Sequence, residues 1–245
     1  MLQTKIRAFA LIGAAVLLMG YDQQTVFTPP PSILYRATCV SHTSPTALET
    51  YTLTFSGLND EDSVALFLGA VTEGSGTALN TASADSVEML TVASAGSGNL
   101  RTHFARMRFV LTNNAASVDF GVDWSVSTPT SAVVCAWAIK NAESYAVSSS
   151  AATDDETAAA SLTLTTPQAQ IAYAKGLGIC GSANPADTAT WTALTEREDS
   201  NNGEIAFSNA DTEYTAYEPA GASALAATCD YTGSSNTSGI VITNR

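Results

Sequence analysis

Apolar residues alternate with polar ones from Ile33 onward, and that period of two restricts the chain to extended, half-buried strands. Tyr51, Leu53 and Phe55 are separated by Thr52 and Thr54 and followed by Ser56. Val118, Phe120, Val122, Trp124 and Val126 are separated by Asp119, Gly121, Asp123 and Ser125, and Leu162 and Leu164 flank Thr163. A sheet with one face in the core and one in water reads this way. Three runs depart from the alternation by being apolar on both faces: Ser63–Ala70, Ala132–Ile139 and Gly239–Thr243. These are expected to be central strands. Turn residues punctuate the strands at 57–60, 74–76, 96–98, 113–114, 201–203 and 233–236. No segment after residue 34 sustains a capped helical period. The pattern predicts an all-β, antiparallel, jelly-roll-like β-sandwich over residues 35–245, a length that suits a jelly roll better than a seven-stranded immunoglobulin domain.

The strand pattern also looks internally duplicated. Val122-Asp123-Trp124 matches Cys229-Asp230-Tyr231 in type, and Ser131-Ala132-Val133-Val134 matches Ser238-Gly239-Ile240-Val241. Residue 229 lies as far after 122 as 238 does after 131. Upstream, Thr52-Leu53-Thr54 returns as Thr163-Leu164-Thr165, and Ala65-Leu66-Phe67 resembles Ile171-Ala172-Tyr173. Chance similarity between alternating strands is the competing explanation. If the duplication is real, two halves forming one sandwich is the natural expectation.

Residues 1–20 resemble a secretory signal, with Lys5 and Arg7 ahead of an apolar run from Ala8 to Met19. The run is short for a bilayer span, and Tyr21 stands where a lipoprotein would carry its cysteine. An ordered apolar arm needs a protein or membrane surface to cover it. The expectation is an assembly arm docking through Phe9, Leu11, Ile12, Val16, Leu17, Leu18 and Met19, with an uncleaved signal as the alternative. Residues 21–34 contain Pro29-Pro30-Pro31, a stiff extended linker that cannot continue a helix.

Charge and residue chemistry narrow the functional classes. The formal net charge is −13, with charged residues only 13% of the chain and apolar residues 45%. Phosphate binding needs a basic footprint. The nearest one splits, because Arg101 and His103 share one strand face and Arg106 and Arg108 the other. No nucleic-acid partner is expected. The only histidines, His42 and His103, read as structural residues, not as catalytic bases. Cys39, Cys135, Cys180 and Cys229 show no metal-ligand spacing. They read most simply as buried thiols, with one or two disulfides left open. Glu196 and Glu198 would share a strand face at about 6.6 Å, near glycosidase spacing, but Arg197 lies between them. The acidic runs 59–62 and 154–156 are the candidates for Ca2+; solvated turns are the simpler reading, and no other cofactor is expected.

The opening strand and acidic turn, Tyr51-Thr52-Leu53-Thr54-Phe55 with Asn59-Asp60-Glu61-Asp62 before Ser63-Val64-Ala65-Leu66, resemble those of bacteriophage and prophage virion proteins with jelly-roll sandwiches. Thr190-Trp191-Thr192-Ala193-Leu194-Thr195-Glu196 is similar to a Trp-Thr-x-Leu-Thr-Glu hairpin that recurs in the same group. The resemblance covers about residues 35–245 through strand and turn patterns, and it does not extend to the arm. It implies a non-enzymatic structural role in capsid decoration, a head fibre or the tail. Its partners would be other virion structural proteins and further copies of the chain, and its location the virion. The alternative is a secreted or envelope-anchored carbohydrate-binding sandwich with Trp191, Tyr214 and Tyr217 as a sugar platform. A glycoside hydrolase using Glu196 and Glu198 comes third.

Overall fold

The computed structural model describes residues 32–59, 62–74, 78–96, 99–110, 117–124, 128–142, 147–155, 161–166, 175–213, 225–233 and 236–244. These residues form strands, turns and connections, with no helix among them. The first eight strands are β1 (Ile33–Thr43), β2 (Leu48–Thr54), β3 (Ser63–Glu73), β4 (Thr81–Ala84), β5 (Val87–Ala95), β6 (Leu100–Val110), β7 (Ser117–Asp123) and β8 (Ser131–Lys140). They hydrogen-bond in the order β1-β8-β3-β6-β5-β4-β7-β2, antiparallel throughout. The sheet folds over itself at β5, which pairs with β6 through its second half and with β4 through its first. A register shift between Thr91 and Ala93 lies in this strand, and bulges of this kind bend a strand around a corner. An isolated bridge between Ala37 and Phe55 brings β1 to β2 and nearly closes the barrel.

The second eight strands are β9 (Val147–Asp155), β10 (Ser161–Thr166), β11 (Lys175–Ser182), β12 (Ala189–Thr192), β13 (Thr195–Asn201), β14 (Ala206–Glu213), β15 (Leu225–Tyr231) and β16 (Thr237–Asn244). Their sheets run β13-β14-β11-β16-β9 and β10-β15-β12. Each neighbour relation is the one found among the first eight strands, with every label advanced by eight. Both halves therefore have jelly-roll order. The duplicated pattern is real at the level of topology, and it takes a different form from halves of one sandwich. Each half is a sandwich of its own. The matched triplets fall on equivalent strands, 52–54 on β2 with 163–165 on β10, and 131–134 on β8 with 238–241 on β16. Residues 171–173 lie outside the described residues.

The two modules stack so that sheet β1-β8-β3-β6 packs on sheet β13-β14-β11-β16-β9. One core fills the first module, with Tyr51, Leu53, Phe55, Leu66, Leu68, Phe120 and Trp124. A second lies between the modules, where Phe67, Phe104, Trp137 and Ile139 meet Leu177, Ile179, Phe207, Ile240 and Ile242. The third fills the second module around Leu162, Leu164, Trp191, Ala227 and Tyr231. The layering explains the three runs without alternation. β3, β8 and β16 are buried on both faces because each belongs to an inner sheet with a core on either side.

Two disulfides staple this arrangement, and no cysteine is free. The simpler reading of four thiols is thereby corrected. Cys39–Cys135 joins neighbouring strands β1 and β8, with Cα atoms 4.3 Å apart, where β1 shifts register between Ala37 and Val40. Cys180–Cys229 crosses the third core from β11 to β15.

Glycines set how closely the modules approach. A Cβ on Gly181 would lie 2.3 Å from Val71 Cγ1, and one on Gly69 would meet Trp137 at 3.0 Å and Ile179 at 3.3 Å. Strands β3 and β11 thus touch through backbone on one side and a branched side chain on the other. Gly181→Ala is expected to destabilise the protein by about 1–3 kcal/mol through overpacking, read as a lower denaturation midpoint at unchanged slope. An unchanged midpoint would show that the inner sheets are free to separate.

Candidate functional site

Two polar constellations stand out against these dry cores. The first clamps the modules together. Asp211 on β14 is fully buried, and its carboxylate accepts hydrogen bonds from Nε of Arg36 on β1, from Arg36 Nη2 at 2.7 Å and from Nε of Arg197 on β13 at 2.9 Å. A buried carboxylate is tolerated when it is paired and hydrogen-bonded like this. Close by, Glu198 Oε2 accepts from the Cys39 backbone N–H at 3.2 Å, and Asn209 Nδ2 donates to Cys39 Sγ at 3.0 Å. Elsewhere along the interface, Thr102 Oγ1 donates to Ser238 Oγ at 2.6 Å and Asn202 Nδ2 to Ser131 Oγ at 2.6 Å.

A bulge at Arg197 builds this clamp and removes the carboxylate pair expected from the sequence. Glu196 pairs with Ala210 while Glu198 pairs with Asn209, so Arg197 is the extra residue. Ala210 faces the third core and Asn209 faces the first module. Glu196 and Glu198 consequently point to opposite sides of the sheet and cannot flank one glycosidic bond. Burial and the nearby Asp199 carboxylate raise the Glu196 pKa, and burial raises that of Asp199.

Trp191 is also placed differently from a sugar platform. It is 8% exposed, packs in the third core, and donates from Nε1 to Ser208 Oγ at 2.9 Å. A buried indole with its N–H satisfied has no face to offer a ligand. Tyr214 and Tyr217 lie outside the described residues, as do Phe9, Leu11, Ile12, Val16, Leu17, Leu18 and Met19 of the arm. In the acidic turn, Asp62 accepts from Lys140 Nζ at 2.7 Å and from the Asn59 backbone N–H at 2.9 Å, which commits it to closing the turn. The described residues contain no group of three or more His, Cys, Asp or Glu arranged to hold a metal ion.

The second constellation occupies one end of the first module, where β1 connects to β2, β3 to β4, β5 to β6 and β7 to β8. Strand alternation aims Thr72 on β3, Arg101 and His103 on β6, Tyr51 on β2 and Trp124 just after β7 into the sandwich. Each continues an inward series, such as Leu66, Leu68, Ala70, Thr72. Thr72 and Arg101 are cross-strand partners, and His103 pairs with Ala70. The rings of His103 and Trp124 have centroids 6.1 Å apart, and His42 stacks on Tyr51 at 4.6 Å from the surface side. Tyr51 Oη, Thr72 Oγ1, Arg101 Nε, His103 Nε2 and Trp124 Nε1 are all buried with no hydrogen-bond partner. The Trp124 N–H lies toward the Tyr51 hydroxyl and slightly favours its ionised form, yet the two do not reach hydrogen-bond geometry.

Burial, and secondarily the Glu49 carboxylate, pushes the Tyr51 phenol well above its usual range. Burial and the Arg101 charge push His103 down to about 4, so its ring is neutral at pH 7. Its Nδ1 is 2.9 Å from Ser94 Oγ. Above this end lies a shallow depression lined by His42, Ser44, Pro45, Thr46 and Glu49. Glu49 there accepts from Thr46 N at 2.8 Å, from Thr46 Oγ1 at 2.9 Å and from His42 Nδ1 at 3.2 Å. The sequence reads both histidines as satisfied structural residues, whereas Nε2 of His103 has no partner. That reading missed the cluster, although an inward series ending in Thr72, His103 and Arg101 was the available signal.

Comparison with protein-family models and with curated proteins finds no match for this chain.

Two measurements test the electrostatics. Asp211→Asn should cost about 2–3 kcal/mol in chemical denaturation, less than a fully enclosed pair would, because both arginines are partly exposed. His103 has a lower pKa in the fold than its usual 6.5, so the unfolded chain binds the proton first. Its contribution is complete above pH 6.5 and is lost as pH falls toward 4, by about 3 kcal/mol. The raised Glu73, Glu196 and Asp199 act in the opposite sense. The expected result is therefore a shallower acid loss in His103→Gln than in the parent protein; equal slopes would place a proton on the buried ring.

Proposed function

We propose that this chain is a non-enzymatic structural component of a phage virion, displayed on the capsid, a head fibre or the tail and docked through its N-terminal arm. One observation carries the reading: two jelly rolls of identical strand order are fused through their inner sheets into a single block. A ligand-binding module needs one sandwich and a site at its loops. Doubling the sandwich and burying a face of each half favours a rigid spacer or shell element, since modules sharing a dry core cannot hinge independently. The two disulfides suit a protein that works in oxidising surroundings once a particle has left its cell. The sparse charge and net −13 suit an outward surface better than one facing nucleic acid. The carbohydrate-binding alternative gains no specific support, because Trp191 lies inside the third core.

Particles purified from cells expressing the chain should contain it in fixed stoichiometry by mass spectrometry. Removing residues 1–20 should leave the folded block in the supernatant, with both disulfides intact by non-reducing peptide mapping. Recovery in the secreted or envelope fraction, and not in particles, would overturn the proposal.

A further inference from the structure

The donor-lined end of the first module is unlike the rest of its core. Two of the five buried atoms there, Arg101 Nε and Trp124 Nε1, can only donate. The hydroxyls of Tyr51 and Thr72 can donate as readily as accept. His103 is neutral, and when Ser94 Oγ donates to its Nδ1, the Nε2 carries the proton and donates as well. The group thus offers up to five donors and one guanidinium charge from opposite walls of the sandwich. Glu49, the carboxylate that acts on Tyr51, is engaged at the rim by Thr46 and His42. In a chain of net charge −13, this is a local reversal of sign.

Apolar packing does not explain these residues. Tyr51, Thr72 and Trp124 are 0% exposed and His103 is 2% exposed. Leaving their polar atoms unmatched is costly, and natural interiors rarely accept it at several neighbouring positions. The matching partner must accept from several donors at once. A water-like partner must also place its own protons, for which only the Tyr51 and Thr72 hydroxyls are available as acceptors. An anion has none to place, and its buried charge is balanced by Arg101.

We propose that the loop-bearing end of the first jelly roll binds a small monovalent anion of halide size inside the sandwich, held by Tyr51, Thr72, Arg101, His103 and Trp124. Because Tyr51 and Trp124 come from one sheet and Thr72, Arg101 and His103 from the other, the bound ion ties the two walls together where the barrel is open. The site is independent of the virion role, and each can fail without the other.

Bromide is the probe. Crystals of the full chain soaked in bromide should show an anomalous peak within hydrogen-bonding distance of Trp124 Nε1 and Arg101 Nε. In solution, chloride should raise the thermal midpoint saturably against a gluconate control at equal ionic strength. Chloride-35 line broadening should report the same affinity. Thr72→Val, which removes one donor at nearly constant shape, should weaken binding by about ten- to a hundredfold, with the gluconate midpoint retained. If a variant fails to fold, the anomalous map of the parent protein still decides. Absence of a peak, or a chloride effect that does not saturate or is unchanged in Thr72→Val, would overturn the proposal and leave these donors to water.

Discussion

The central strands of two β-sheets, β3 and β8 in one and β11 and β16 in the other, have no wet face, and the rest of the structure follows from that. The sheet containing β3 and β8 is covered by its own module on one side and by β11 and β16 on the other. Large side chains such as Phe67 and Trp137 are fully buried in the shared layer. Each contributes about 1.5–3 kcal/mol by leaving water. Separating the modules would expose this layer on both partners at once. The glycines at 69 and 181 permit the close approach, and Val71 and Ile179 fill the space they leave.

Polar groups then specify how the inner sheets are registered. Asp211 could not remain buried without Arg36 and Arg197, which reach it from different modules. A salt bridge of this kind adds little net stability over an apolar substitute, but a wrong register would strand the charge. The bulge at Arg197 is what turns that guanidinium toward Asp211 and sends Glu198 to the Cys39 backbone. One irregular residue thus builds the clamp and dismantles the paired acids.

The opposite economy governs the open end of the first module. There the sandwich gives up apolar packing for Thr72, Arg101, His103 and Trp124, and accepts a histidine held neutral far below its usual pKa. Loops concentrate at such ends, and binding residues on a rigid scaffold concentrate with them. The cluster's position is thus as informative as its chemistry.

The order of amino acids by itself determined the strands, because alternation is a local property: Tyr51, Leu53 and Phe55 could only be one face of a sheet. It also marked β3, β8 and β16 as doubly buried through their unbroken apolar runs, and it carried the repeat in the matched triplets around 122 and 229. Tertiary structure decided what depends on long separations. The alternation suggested one sandwich shared by the halves where the fold builds two, since alternation marks a buried face without saying what covers it. Cys39 and Cys135 are 96 residues apart, and spacing alone cannot choose among pairings. Trp191 was a platform candidate only within the carbohydrate-binding alternative, because a hairpin indole can face either way; the third core took it inward. Arg36 and Asp211 meet only after two modules stack, and the donor cluster forms only when two sheets face each other. Strand periodicity is written along the chain, whereas charge pairing and donor convergence exist only between strands brought together from afar.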